Sequence, residues 1–389
     1  MTLQLPLVSG VSNTTLLPGS TITISGQYFN PALANNQVLL DTAVLSVISV
    51  TPTQLVVKGD NVSMSDMGNL TVKTGKDLVT VVQGNYGVYK YLTPKNNFPG
   101  PARFGATAVA IGGNIYFGLG KSQVTDYALA DWWKYDPNAD KWTQLASCPV
   151  ASYIVNSFSI GTKAYVGMGS GLLFDNSFWC YDTSADTWKQ IASFPGTYTI
   201  FPVCFSSDKY GYMIGGSQDT PNALTNTNDV WRYNPVTDSW QQTTSFPGLP
   251  RGQAMGFTLN NKGYVIGGAA QTGGSDPYIA DAWSFDFATE TWKQLSMPPQ
   301  YVARSAGFAF SAQNKGYIGG GLVTDEGGYP YVYEYDPVAD SWTLKEKVFA
   351  PIKLFSASVS VNGIGYIITG EAYFGWYYAG SQSFFQFKP

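Results

Sequence analysis

The chain has 389 residues, 44% of them hydrophobic, enough for two cores, and no apolar run approaches a membrane span. Lys and Arg number 22 against 26 Asp and Glu, a net charge of −4 without basic runs, which argues against a nucleic-acid partner. There is no histidine, so Ser-His-Asp and Cys-His nucleophilic systems are excluded, and any acid–base chemistry falls to Glu, Asp, Tyr, Lys or Arg.

The first 88 residues read as short alternating strands at 21–24, 38–40, 44–50, 54–58, 70–73 and 79–82. Leu17-Pro18-Gly19-Ser20 precedes the first of these and Gly26-Gln27-Tyr28-Phe29-Asn30 follows it. With Thr51-Pro52-Thr53-Gln54-Leu55 and Gly68-Asn69-Leu70-Thr71-Val72, they resemble the IPT/TIG module, an early-set immunoglobulin-like β-sandwich. The resemblance implies a spacer or interaction domain, with an expected span of 1–85.

Beyond it a tyrosine is followed four residues later by a glycine six times: Tyr116/Gly120, Tyr165/Gly169, Tyr212/Gly216, Tyr264/Gly268, Tyr317/Gly321 and Tyr366/Gly370. The pairs recur every 47 to 53 residues, the interval of a four-stranded propeller blade. After the first five comes an aromatic turn signal, at Tyr135-Asp136-Pro137, Tyr181-Asp182-Thr183, Tyr233-Asn234-Pro235, Phe285-Asp286-Phe287 and Tyr335-Asp336-Pro337. Seven residues beyond each leading aromatic stands Trp142, Trp188, Trp240, Trp292 or Trp342. This order resembles the kelch repeat of the galactose oxidase-like superfamily. It implies an all-β, six-bladed β-propeller over residues 86–389, with the tryptophans filling the wedges between blades.

The sixth repeat ends with the chain, at Phe385-Gln386-Phe387-Lys388-Pro389, and lacks a fourth strand. Tyr89-Lys90-Tyr91-Leu92 followed by Phe98-Pro99 parallels Trp188-Lys189-Gln190-Ile191 followed by Phe194-Pro195, with a small insertion. Residues near 86–93 are therefore expected to close the ring without an exposed edge.

In an antiparallel meander the second-to-third and fourth-to-first connections share one face and the tight hairpins share the other. The former are longer and more varied, so function is expected on that long-loop face. Arg103, Arg251 and Arg304 each open an inner strand near the channel mouth. They either meet a carboxylate or sulfate of a ligand, or pair with neighbouring loop backbone or acids. Tyr278, Tyr329, Tyr331, Trp376 and Tyr377 place rings in loops of the same face, suited to sugar rings or a protein surface, or else to packing of the last blade.

No cofactor is expected. Galactose oxidase, which this combination of domains resembles, holds copper with tyrosine and histidine side chains, and without imidazole that site cannot be assembled. Dispersed Cys148, Cys180 and Cys204 do not suit zinc, and a disulfide between Cys180 and Cys204 stays open. Asp219, Asn226, Asn228 and Asp229 offer oxygens for calcium, or for capping their own turns. The domain combination resembles bacterial surface proteins, which implies an extracytoplasmic setting, cell surface or periplasm. The chain opens Met1-Thr2-Leu3-Gln4, without a signal-peptide pattern. The expected function is non-catalytic binding of a glycan or protein on the long-loop face. The alternative, suggested by bacterial kelch epimerases of sialic acid and by propeller lyases, is an enzyme acting on an acidic sugar without copper or zinc. There the arginines would hold the carboxylate, with Tyr278 or Glu326 moving the proton.

Overall fold

The computed structural model describes the chain apart from residues 1–4, 13–14, 17–20, 41–42, 60–66, 76–77, 89–91, 123, 172–174, 221–222, 271–277, 299–302, 325–326, 329–330, 348–352, 374–377 and 381. Contacts divide it near residue 93 into two compact units.

The first unit is an eight-stranded arrangement in the order Leu7–Val11, Thr21–Gln27, Gln54–Lys58, Ala43–Thr51, Asn36–Leu40, Met67–Thr74, Leu78–Val88 and Thr15–Leu16. Along Thr21–Gln27 the even-numbered residues are buried, as an alternating strand requires. Ile22, Ile24, Val38, Leu40, Leu55, Val57, Leu70 and Val72 form its core with Phe29 and Leu45. Asn36 pins the bend before its strand. Its amide donates to the carbonyls of Asn30 and Ala32 at 2.7 and 2.9 Å and accepts the Asn30 N–H at 3.1 Å. The unit extends past residue 85 because Leu78–Val88 stays paired with Met67–Thr74 across a register shift, with Tyr86 opposite Gly68. The strand expected at 79–82 thus runs on through Gly84-Asn85-Tyr86-Gly87.

Among the described residues the second unit contains six four-stranded meanders. Their inner strands are Thr107–Ile111, Asn156–Ile160, Val203–Ser206, Met255–Leu259, Phe308–Ala312 and Ala357–Val361. Each lies beside the next, and the last beside the first, so they form a closed cycle. Blade four shows the register: Met255–Leu259, Lys262–Ile266, Ala282–Asp286 and Thr291–Gln294, with Phe285 opposite Trp292. The six repeat glycines all have φ between 88° and 143°. A Cβ at Gly120, Gly268 or Gly321 would also stand within 2.9 Å of a backbone carbonyl of the incoming inner strand. Glycine is required there twice over, by torsion and by space.

The sixth meander takes its fourth strand from Leu92–Pro94, and the Lys95 N–H continues the pairing by donating to Phe384 O at 3.0 Å. The register differs from the expected one. Leu92 takes the place of Trp188, and Phe98-Pro99 then matches Phe194-Pro195 with no insertion. The aromatic Tyr89 suggested a start three residues too early. Sheet pairing is indifferent to that ring, and the downstream Phe-Pro pair carries the true spacing.

A clasp on the turn side repeats at the wedges between blades. In blade two, Tyr181 Oη donates to Asp186 at 2.7 Å, Asp186 accepts the Ala146 N–H of the preceding blade at 2.9 Å, and Trp188 Nε1 donates to Ala146 O at 2.8 Å. Blades three and five repeat it through Tyr233, Asp238 and Trp240 and through Tyr335, Asp340 and Trp342. Blade one does so through Tyr135, Asp140 and Trp142, with Asn96 of the closing segment as partner. Burial, followed by the partner aspartate, raises all four of these phenols above the ordinary tyrosine range.

Candidate functional site

The three arginines are buried, at 0%, 2% and 0% exposure for Arg103, Arg251 and Arg304. Arg103 makes a two-pronged bond to Asp131 at 2.6 and 2.7 Å, donates to Leu119 O at 2.8 Å, and lies 4.6 Å over the Phe98 ring. Arg251 repeats this in blade four with Asp281, Gly267 O and Phe246. Trp133 and Trp283 donate their indole N–H to the same two carboxylates. Arg103 and Arg251 thus take the second of the two roles expected of them, pairing with neighbouring acids. The fold brings an acid from 28 or 30 residues downstream against each guanidinium, and their charge is balanced inside the blade. Arg304 lies over Tyr333 at 5.2 Å and points at the carbonyls of Gly320 and Tyr331, both at 3.5 Å. Tyr331 occupies the position of Asp131 and Asp281 and is half-buried against the core between blades four and five. Tyr278 is half-buried and bridges to Ala269. Tyr329, Trp376, Tyr377 and Glu326 lie outside the described residues or side chains.

What the fold does place at the channel mouth is a ring of six left-handed residues, one per blade: Gly105, Ile154, Phe201, Gln253, Ala306 and Phe355, with φ from 49° to 59°. Each sits just ahead of an inner strand. Backbone N–H groups link the ring from blade to blade, Gly105 to Phe355 O at 3.2 Å, Ile154 to Gly105 O at 2.7 Å, Gln253 to Phe201 O at 3.0 Å, Ala306 to Gln253 O at 2.9 Å and Phe355 to Ala306 O at 3.2 Å. Five non-glycine residues in this torsion are strained, and the inter-blade bonds hold them there. The rings of Phe201 and Phe355, from opposite blades, meet across the axis at 5.9 Å. Around them is a depression of about 170 Å³ whose polar groups include the Gln253 and Asn156 amides and Ser356.

Behind the ring, the axial channel holds about 340 Å³ lined by Ser157, Ser159, Ser206, Thr258, Ser311 and Ser360, with small residues and four phenylalanines completing the wall. Its hydroxyls lace neighbouring inner strands, Ser206 to Ser159 O at 2.6 Å and Ser358 to Ala309 O at 2.8 Å. Neither the mouth nor the channel is lined by a described Asp, Glu, Lys, Arg or Tyr. Cys204 lines the channel, and burial pushes its thiol up to about 12, so it is not a thiolate at neutral pH. All three cysteines are free thiols. Among the described residues no three His, Cys, Asp or Glu side chains cluster as metal ligands, and no helix is long and apolar enough to cross a membrane. Of the residues weighed for calcium, Asn226 accepts the Ser217 hydroxyl at 2.7 Å. Asn226 and Asn228 donate to Ala269 O and Phe246 O at 2.7 and 3.1 Å, and Asp229 accepts from Gln242 at 2.9 Å.

The ring residues escaped sequence reasoning because Gly, Ile, Phe, Gln, Ala and Phe share no chemistry. Only their register marks them, two residues after Arg103, Arg251 and Arg304.

Comparison with known proteins agrees with this architecture. An IPT/TIG domain model matches residues 6–94 and a kelch motif model matches residues 212–247. An N-acetylneuraminate epimerase of Yersinia pestis is 42% identical over 60 residues, 15% of each chain. An F-box/kelch-repeat protein of Arabidopsis thaliana is 25% identical over 245 residues, covering 54% of this chain and 45% of its own. The chain thus spans under half the length of either relative. The solved structure described as "Structure of YjhT" superposes with a TM-score of 0.64 at 17% identity, over 74% of this chain and 95% of that one. Matching domain models, superposed fold and repeat geometry together make this chain a kelch-repeat β-propeller with an N-terminal IPT/TIG domain.

Proposed function

We propose that the protein is a non-catalytic, extracytoplasmic binding protein whose long-loop propeller face takes a glycan. The observation that carries this reading is the channel mouth. It offers two phenyl faces and the Gln253 amide, whose oxygen accepts from Ser305 at 3.1 Å, beside a backbone ring tied from blade to blade, with no described acid or base lining it. Flat apolar faces beside neutral hydrogen-bonding groups suit a sugar ring better than they suit chemistry. Tyr278, Tyr329, Tyr331, Trp376 and Tyr377, expected from the sequence on loops of the same face, are the further ligand candidates. A glycan array tests it. Binding that falls about tenfold or more in Gln253→Ala or Trp376→Ala, with an unchanged melting temperature, supports the reading. Absence of binding to any glycan, with or without those substitutions, removes it.

A second reading has one observation in its favour, the similarity to proteins named N-acetylneuraminate epimerase. It makes the protein an enzyme on an acidic sugar, and its proton-moving groups would have to come from the loops. Incubation with N-acetylneuraminate, followed by proton NMR of the two anomers, separates the readings.

A further inference from the structure

On the opposite face, the wedge between blades three and four breaks the repeat at several positions, and the changes converge. The residue two before the repeat tyrosine is lysine in blades two, four and five, where Lys163, Lys262 and Lys315 pair with the turn acids Asp182, Asp286 and Asp336. In blade three it is Tyr210, and the turn acid is Asn234. In blade four, Phe285 and Glu290 stand where other blades have the clasping tyrosine and aspartate, and Phe287 replaces the proline or threonine of the turn. Glu290 leaves the usual backbone target. It pairs with Arg232 of blade three at 2.5 Å and accepts the Tyr212 hydroxyl at 3.3 Å. Trp292 Nε1, whose counterparts all bond the preceding blade, is buried without a partner. Arg232 is held flat over the Tyr210 ring at 4.6 Å by a further bond to Gln241 at 2.7 Å. Phe287 stacks on Tyr212 at 5.3 Å. The result is a groove of about 620 Å³ lined by Tyr210, Arg232, Asn261, Phe287, Thr289 and Glu290.

We propose that this groove is a second ligand site, for a neutral sugar. Its volume lies within the roughly 300–1,000 Å³ of small-molecule sites. Its charges cancel, Asp208 and Glu290 against Lys209 and Arg232, so an ion gains nothing from it. A wholly apolar ligand would strand the planar Arg232–Glu290 pair and the Asn261 amide. A polyhydroxylated ring uses both, its apolar face on Tyr210 or Phe287 and its hydroxyls on the fixed polar groups. The repeat identifies what the fold needs at these positions, so the residues that depart from it together are free to serve a ligand.

The test is saturation-transfer NMR on the full chain with glucose, galactose, mannose and N-acetylglucosamine. It is run in a Gln253→Ala, Trp376→Ala background, which removes the long-loop site and so separates failure of this proposal from failure of that one. At least one sugar must still give a signal. Adding Tyr210→Lys, which restores the repeat residue, or Ala288→Trp, which fills the groove from an exposed rim position, must weaken that signal about tenfold or more. The two variants fail independently if either misfolds. No signal in the background, a signal indifferent to both substitutions, or a groove that binds only peptides overturns the proposal.

Discussion

Among the described residues, four of the six wedges of the propeller carry the tyrosine–aspartate–tryptophan clasp; the wedge between blades five and six has Phe387 in the tyrosine's place, and the one between blades three and four departs from the clasp most widely. Where the clasp is present, one carboxylate serves a phenol and the backbone of the preceding blade, and the indole bonds that same backbone segment. The turn is thereby drawn onto its neighbour. Between blades three and four, the longer Glu290 reaches sideways to Arg232, and the groove opens. Positions kept in register belong to closure and packing, and coordinated exceptions mark where the molecule can be used for something else.

The comparison can be broken most severely at the wedge between blades six and one. Its clasp runs through Asn96, and its closing strand is Leu92–Pro94. A chain truncated to begin at Phe98 loses both and exposes a sheet edge. It is expected not to form a cooperatively melting propeller, whereas one beginning at Gly84 is expected to do so. Equal melting of the two would disprove closure by this segment.

Next in size is the arginine pair of blades one and four. Arg251→Ala leaves the Asp281 carboxylate without its two-pronged partner and is expected to cost about 3–5 kcal/mol in chemical denaturation. Arg103→Ala should match it through Asp131. A loss confined to ligand binding would return these residues to the site.

The wedge contrast itself is sharpened by exchanging its parts. Tyr233→Phe removes a phenol–carboxylate bond and should destabilise by about 1.5–3 kcal/mol. Phe285→Tyr combined with Glu290→Asp restores the tyrosine–aspartate half of the clasp in blade four. It should raise stability by about 1 kcal/mol while abolishing sugar binding in the groove. A destabilised double variant would mean that the two wedges differ in backbone as well as in side chains.

The smallest effect is with acid. Serine 184 and its N–H hold Asp182 down to about 2, and Lys315 with two backbone N–H groups lowers Asp336. Burial opposes the same trend at Asp140 and Asp340, but their phenol, lysine and backbone bonds outweigh it. Carboxyls lowered in the folded state contribute stability above the ordinary aspartate range and lose it as pH falls through their folded values. Melting temperature should therefore be flat down to about pH 4 and fall towards pH 2. A fall that begins near neutrality would point to other groups.

Much of the fold was legible because it repeats. Tyrosine, glycine, turn aromatic and tryptophan keep register over five or six copies, and each has one physical job. The strand at 54–58 was read as the structure has it, Gln54–Lys58, whereas that at 79–82 was read far too short. The closing strand was placed in the right segment and three residues out of register, since Tyr89 mimics a wedge aromatic. The site was much less legible. Arg103 and Arg251 looked available in a chain of few charges, yet Asp131 and Asp281 reach them only through sheet pairing. The mouth ring is a backbone feature with no side-chain signature, and the groove between blades three and four emerges only once the copies are superposed.

We propose that this propeller binds a sugar without transforming it. Anomer-resolved proton NMR of N-acetylneuraminate, freshly dissolved with and without the purified protein, tests it most directly. Interconversion of the anomers at the uncatalysed rate is the result expected, while the protein retains glycans on an array. Equilibration accelerated in proportion to protein concentration would contradict this reading and make the protein an enzyme.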